Sequence, residues 1–227
     1  MRFTLRLARA CVLTCAAFIS NVSFARDQFV TNDPVRQQLL AMGKRGLAVS
    51  QARDHVIEIL QSQNSCSAWF QEVDPNTAST FASLKLVIEN GPQWVLSWPS
   101  RQGEMLLKHP YAAKALENGE GNYFVVLNSK GAFFVRAAAV LRKENDGSFI
   151  RASGSRYLLV GSYVGHSLGA QITILLHELG HVVGRLPDDS DELSGQSGRN
   201  TAEVLRSCRM QIDAAVHSRP EQSRVRH

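Results

Sequence analysis

Two histidines and a glutamate at short spacing are the residues of this chain with the clearest chemistry. Residues 177–181 have the sequence H-E-L-G-H, which is the pattern H-E-x-x-H. Histidines at positions i and i+4 lie on one face of a helix, so the imidazoles of His177 and His181 can reach one metal ion. Glu178 would lie beside that ion, where its carboxylate can act as general base toward a water molecule. The pattern predicts a metal-dependent hydrolytic site. Zinc suits such ligands, and other transition metals also bind them.

The motif lies in a run whose apolar residues recur at steps of three and four, as on one buried face of a helix. These residues are Ile172, Leu175, Leu176, Leu179, Val182 and Val183. We predict a helix over about residues 167–183, with Ser167 as N-cap, Gly184 as the residue after the C-cap, and Pro187 preventing continuation. The alternative is a core helix with two hydrogen-bonded histidines, which the glutamate between them disfavours.

Residues 177–184 have the pattern H-E-x-x-H-x-x-G and resemble the zincin metallopeptidases, specifically the start of the metzincin motif. In that family the glycine lets the chain turn back and present a third metal ligand, His or Asp, three residues later. That position is Pro187 in this chain, which departs from the family pattern. The resemblance implies Zn²⁺ as cofactor, hydrolysis of a peptide bond, and a secreted bacterial zincin-like protein.

The third ligand must then come from a nearby acidic residue. Asp188, one residue beyond the expected position, is our favoured ligand, because a glycine followed by an acidic loop can return the carboxylate to the metal. Glu203 is the alternative, since other zincins take a glutamate from a second helix about twenty residues downstream. Asp189 and Asp191 are weaker substitutes. An acidic loop in solvent, or for Glu203 an ordinary residue of a helix's first turn, would explain the same residues without a metal.

A second motif, G-H-S-L-G at residues 165–169, matches the nucleophile elbow of α/β-hydrolases and makes Ser167 a candidate nucleophile. In that fold the acid and the histidine follow the elbow on loops after further strands. Only 58 residues follow Gly169, and they are mostly helical or polar. We therefore interpret the motif as a turn and helix cap, and keep a serine hydrolase as the weakest alternative.

The N-terminus predicts a secretory signal peptide over residues 1–25, and hence a secreted or periplasmic protein, with an uncleaved N-terminal anchor as the alternative. Three arginines precede an apolar stretch at residues 10–19, and Ser23-Phe24-Ala25 is a small-x-small cleavage pattern. Cleavage would lower the formal net charge from +5 to +2, because three arginines and no acidic residues leave. We expect no nucleic-acid partner and, after cleavage, no stable membrane insertion.

Removing the signal peptide would also remove Cys11 and Cys15 and leave Cys66 and Cys208. An even number of cysteines in an exported chain predicts a disulfide between these two. Two buried thiols are the alternative. Zinc ligation by these cysteines is disfavoured, because neither lies in a C-x-x-C pair.

The remaining chain predicts one α+β domain over residues 26–216, followed by a flexible tail at 217–227. We predict a first helix from Asp33-Pro34, a second opened by Ser50, a short helix over 110–116, and a last helix over about 200–216. Predicted strands cover residues 84–89, 94–98, 123–127 and 132–135, and residues 137–142 fit a strand or a helix. The zincin resemblance implies a twisted mixed sheet with the active-site helix packed behind it.

The same resemblance implies a protein or peptide substrate that binds as an added strand to one sheet edge, for which residues 123–127 and 132–135 are candidates. His166, Tyr163 and Tyr157 are candidate hydrogen-bond donors to the oxyanion. A secreted zinc-binding protein without turnover is the alternative from another functional class. The glutamate of the motif, which a structural zinc site does not need, disfavours it.

Overall fold

A computed structural model describes residues 33–90, 95–101, 103–108, 111–190 and 195–218. Apart from its first two residues, this part of the chain belongs to one compact unit, Val35–His227. It contains six helices and nine strands, and the predicted α+β class is confirmed. The predicted signal peptide lies outside the described residues, as does most of the predicted tail. Among the described residues, no helix combines the length and the apolar character needed to cross a bilayer.

Four helices come first: α1 Pro34–Ala41, α2 Gly43–Gln61, α3 Ser65–Gln71 and α4 Thr77–Ser83. The start of α1 at Pro34 agrees with the sequence. The prediction that Ser50 opens a second helix is wrong, because Ser50 is buried inside α2. Gly43, the first residue of α2, has φ +69°, a conformation that glycine adopts without strain and that changes the direction of the chain after α1. A capping box then begins α3, in which the Asn64 side chain accepts from Ser67 N at 2.9 Å.

A three-stranded mixed sheet contains β1 Lys85–Glu89, β4 Ala113–Glu117 and β5 Tyr123–Asn128, in the order β1-β5-β4. Strand β1 is parallel to β5, and β4 is antiparallel to it. Two of the predicted strands, 84–89 and 123–127, are confirmed as β1 and β5. The predicted helix over 110–116 is wrong, because residues 113–117 pair with β5. Pairing with the next strand of the chain here overrides the helix propensity of an alanine-, leucine- and lysine-containing stretch.

A second sheet is antiparallel, with the order β2-β3-β6-β7. Its strands are β2 Val95–Ser100, β3 Gly103–Lys108, β6 Ala137–Lys143 and β7 Phe149–Tyr157. Residues 137–142, which the sequence left undecided, therefore form a strand. The strand predicted at 132–135 is wrong. Those residues turn, with Val135 N donating to Gly131 O at 2.9 Å, and they place Phe133 in the core.

After a short hairpin of β8 Leu159–Val160 and β9 Tyr163–Val164 come two long helices, α5 Leu168–Val182 and α6 Gln196–His217. The predicted helix with the H-E-x-x-H motif is confirmed as α5, and the Ser167 side chain caps it by accepting from Ala170 N at 3.2 Å. Helix α6 begins four residues earlier than predicted. The predicted disulfide, Cys66–Cys208, is also confirmed and joins α3 to α6. The core brings these helices together with the mixed sheet through Val56, Phe70, Leu127, Ile172, Leu176 and Val204.

Candidate metal centre

Three side chains that can bind a metal converge near the end of α5. His177 and His181 belong to α5, and Asp189 belongs to the loop that follows it. The two Nε2 atoms lie 3.1 Å apart. One carboxylate oxygen of Asp189 lies 2.9 Å from His177 Nε2, and the other lies 3.3 Å from His181 Nε2. Among the described residues, this is the one group of three histidine, cysteine or acidic side chains whose ligand atoms all lie within 4.8 Å.

These separations fit a small metal ion. Two ligand atoms at about 2.05 Å from a tetrahedral zinc ion lie about 3.3 Å from each other. The Nε2 atoms are 3.1 Å apart, and each is 2.9 or 3.3 Å from a different oxygen of the Asp189 carboxylate, so the separations are close to that value. Two imidazoles and a carboxylate are also a chemically suitable ligand set, which zinc accepts and which leaves further coordination positions for water or substrate.

The electrostatics of the group also favour a cation. Burial opposes ionisation of Asp189, but hydrogen bonds to His177 and His181 hold the pKa of its carboxyl well below the ordinary value. Burial alone would lower the pKa of His181, yet the hydrogen bond and charge of Asp189, aided by Glu178, raise it. An ionised carboxylate thus faces two imidazoles at a site with little solvent exposure, where positive charge, as protons or as a metal, is stabilised.

The end of α5 explains how Asp189 reaches the histidines. Arg185 N donates to Gly180 O at 2.8 Å, and Gly184 N donates to His181 O at 3.1 Å, which together form a Schellman motif. Gly184 has the positive φ, +71°, that this motif requires. The chain then folds back so closely that a Cβ on Gly180 would lie 2.5 Å from Leu186 Cδ1. The glycine of the sequence motif therefore turns the chain as predicted, and the returning loop carries the acidic residue.

The favoured third ligand, Asp188, does not face the imidazoles. Its carboxylate accepts hydrogen bonds from Ser190 N at 3.3 Å and Ser190 Oγ at 2.6 Å, which lower its pKa. The alternative, Glu203, forms an ion pair with Arg206 on the surface of α6. Asp191 lies outside the described residues. The structure thus brings Asp189, which the sequence ranked as a weaker substitute, to the position that the sequence assigned to Asp188.

Glu178 is buried beside the two imidazoles and contacts the mixed sheet. Burial raises the pKa of its carboxyl above the ordinary value, while the charges of His177 and His181 oppose this shift. The backbone N–H of Ala115, on β4, lies near the Glu178 carboxyl and lowers its pKa, which partly offsets the effect of burial. A carboxyl with a raised pKa next to a metal-binding group can take up a proton and release it again, as a general base and acid must.

The edge of the mixed sheet nearest Glu178 is β4. Asn128 N donates to Ala112 O, and Asn118 N donates to Asn122 O, each at 3.0 Å. Hydrogen-bonded pairs alternate along antiparallel strands, so the main-chain groups of residues 113, 115 and 117 point away from β5. The prediction that residues 123–127 or 132–135 form the substrate-binding edge of the sheet is therefore wrong. Residues 123–127 are paired on both sides, and residues 132–135 form a turn.

The other candidate site residues lie elsewhere. Ser167 Oγ donates to Val164 O at 2.6 Å as well as capping α5, so both of these contacts are with the main chain. His166 is exposed and has a left-handed backbone, φ 64°. The guanidinium of Arg136 lies over the ring of Tyr157, which is exposed. Tyr163 Oη donates to Asp213 Oδ1 at 2.7 Å and so joins the hairpin to α6.

Replacing Tyr163 by phenylalanine is expected to reduce the free energy of unfolding by about 1 kcal/mol at neutral pH, the typical value for one hydrogen bond. Burial and the hydrogen bond to Asp213 raise the pKa of Tyr163. Because the folded-state pKa is raised, this contribution is complete below the unfolded pKa of about 10 and declines as the pH rises above it. Denaturant titrations of both proteins near pH 8 and near pH 11 measure it. An equal difference at both pH values would contradict this assignment.

No protein-family model matches this chain, and neither a curated protein nor a solved structure matches it. What the site can do therefore has to follow from the chemistry of His177, Glu178, His181 and Asp189.

Proposed function

We propose that this protein is a secreted zinc-dependent metallopeptidase in which His177, His181 and Asp189 hold the metal and Glu178 is the general base. The observation that carries the proposal is the convergence of two Nε2 atoms and a carboxylate at separations of 2.9 to 3.3 Å, which match those around a zinc ion. The buried glutamate next to them is the second support, because a purely structural zinc site has no need of it.

The proposed reaction uses the side chains as follows. When bound, zinc supplies a Lewis acid that polarises a carbonyl oxygen and makes water easier to deprotonate. Glu178 takes the proton of the attacking water and passes it to the amine that leaves. In the metal-free protein, burial raises the pKa of this carboxyl, which favours its holding a proton between the two steps.

A peptide substrate is favoured by the strand beside Glu178. The outward main-chain groups of residues 113 and 117 can pair with an extended chain that adds to β4. Such a chain would lie next to Glu178, because the Ala115 N–H between these two residues lies near its carboxyl. A mixed sheet, an antiparallel edge strand and the H-E-x-x-H helix support the zincin resemblance. The Cys66–Cys208 disulfide supports an oxidising compartment.

The position of Glu178 near Ala115 N–H also favours a second candidate, a zinc-binding protein without turnover. In that protein the glutamate would join α5 to β4 and would not act on water. The two candidates agree on the metal and differ in whether peptide bonds are hydrolysed.

Incubation of the purified protein with a mixed library of unstructured peptides tests the proposal. We expect cleavage that stops when a chelator removes the metal and returns when zinc is added. Ser167→Asn is the matched control, because asparagine also caps helices but cannot act as a serine nucleophile, and it should remain active. Zinc binding without any cleavage would favour the second candidate. Cleavage that continues in the presence of a chelator and is lost in Ser167→Asn would point to a serine hydrolase.

A further inference from the structure

Helix α6 places polar side chains directly behind two of the three proposed metal ligands. Thr201 Oγ1 lies 3.1 Å from Nδ1 of His177, on the side of the ring opposite to the site. Asn200 Nδ2 lies 3.2 Å from a carboxylate oxygen of Asp189. The two contacts come from consecutive residues of one helix and reach different ligands.

We infer that Thr201 and Asn200 are positioning residues of the metal centre, Thr201 acting through the His177 ring and Asn200 through the Asp189 carboxylate. This inference rests on the proposed function, because it assumes that these side chains bind a metal. It goes beyond that function by assigning to α6 the orientation of the ligands that α5 and its loop supply.

The contact with Thr201 favours the tautomer of His177 that can bind a metal through Nε2. For Nε2 to bind a metal, the proton of the neutral ring must be on Nδ1. A hydroxyl oxygen at 3.1 Å can accept that proton in a hydrogen bond, which fixes the tautomer and the ring orientation. Because His177 is buried, a ring without this partner would leave a polar N–H unsatisfied.

Asn200 fixes the loop that carries Asp189. Its side chain is 1% exposed, and its Nδ2 also donates to Pro187 O at 2.9 Å. Both of these partners are pure acceptors, so the amide can be oriented in only one way. The other end of the amide, Oδ1, accepts from Gln196 Nε2 at 2.8 Å. Asn200 therefore holds both the backbone before Asp189 and the carboxylate itself.

The support that α6 provides is itself anchored. Thr201 and Cys208 are seven residues apart, which places them on one face of the helix. Cys208 is bonded to Cys66 on α3, and Ser65 Oγ donates to Ser207 O at 2.7 Å. Helix α6 is thereby held against α3 at a point two turns beyond the site. Side chains on a helix that is anchored in this way can position metal ligands more precisely than side chains on a loop can.

The test is the zinc dissociation constant, measured by competition with a chromophoric chelator, in the wild-type protein and in Thr201→Val and Thr201→Ser. Valine keeps the shape of threonine without its hydroxyl, and we expect it to raise the dissociation constant by about 10- to 100-fold. Serine keeps the hydroxyl and should restore affinity to near the wild-type value. Asn200→Leu, which removes the donor to Asp189 and Pro187 O without adding a charge, should weaken binding by a similar factor.

Thr77→Val is the matched control, because Thr77 is a buried threonine whose hydroxyl donates to Asp74 O, in a different part of the fold. It should alter the unfolding midpoint of the metal-free protein without changing zinc affinity. Wild-type affinity in both Thr201→Val and Asn200→Leu would overturn this inference and leave the proposed metal site standing. Absence of zinc binding by the wild-type protein would overturn the metal site, and the inference with it.

Discussion

Replacement of Glu178 by glutamine is expected to lower the turnover of peptide hydrolysis by about 10²- to 10⁴-fold, the usual contribution of a general base. Zinc should remain bound, because His177, His181 and Asp189 are unchanged. Glutamine is also close in shape to glutamate, and its carbonyl oxygen can still face Ala115 N–H. The variant therefore removes the ability to take a proton from water and little else. Initial rates with a fluorogenic peptide, together with elemental analysis of bound zinc, measure both parts of this prediction.

Glu203→Gln is the control for the loss of a carboxylate. Glu203 lies on α6 and pairs with Arg206 at the surface, so this variant should keep both activity and zinc. Undiminished hydrolysis by Glu178→Gln would contradict the proposed mechanism. It would leave the metal site intact and require a different base.

Removal of the disulfide is expected to have the largest effect on stability. Cys66 and Cys208 are 142 residues apart in sequence, and closing so long a loop stabilises the folded state by about 5 kcal/mol in the chain-entropy model. The Cys66→Ala/Cys208→Ala variant should therefore unfold at a much lower denaturant concentration. Urea titrations followed by circular dichroism measure the difference.

Reducing agent provides the control for this prediction. It should lower the unfolding midpoint of the wild-type protein once unfolding exposes the bond, and it should have no effect on the double-alanine variant. A loss below about 1 kcal/mol would contradict the prediction, and would mean that packing of α3 against α6 is sufficient without the bond.

Local signals in the sequence were sufficient for helix α5 and the turn after it. The apolar spacing of its buried residues, the Ser167 cap and the positive φ of Gly184 are all properties of neighbouring residues. The disulfide was also predictable, because the expected loss of the signal peptide leaves only two cysteines.

The third member of the metal-binding group could not be chosen from sequence, because Asp188 and Asp189 differ by one position in a loop. Which of them faces the histidines depends on contacts from elsewhere. Asn200, on α6, holds Pro187 O and the Asp189 carboxylate, while Ser190 binds Asp188. The edge strand β4 was predicted as a helix for a similar reason. Residues 113–117 have helix-forming composition, and their pairing with β5 determines that they form a strand.

The most direct test of the central claim is the zinc content and zinc affinity of Asp189→Asn beside Asp188→Asn. Both variants remove one negative charge from the same loop, so they differ only in the position of the carboxylate. We predict about one zinc per chain for the wild-type protein, the same for Asp188→Asn, and an affinity at least about 100-fold weaker for Asp189→Asn, which exceeds the usual effect of losing an outer support. Loss of zinc in Asp188→Asn with full retention in Asp189→Asn would contradict the site described for this protein.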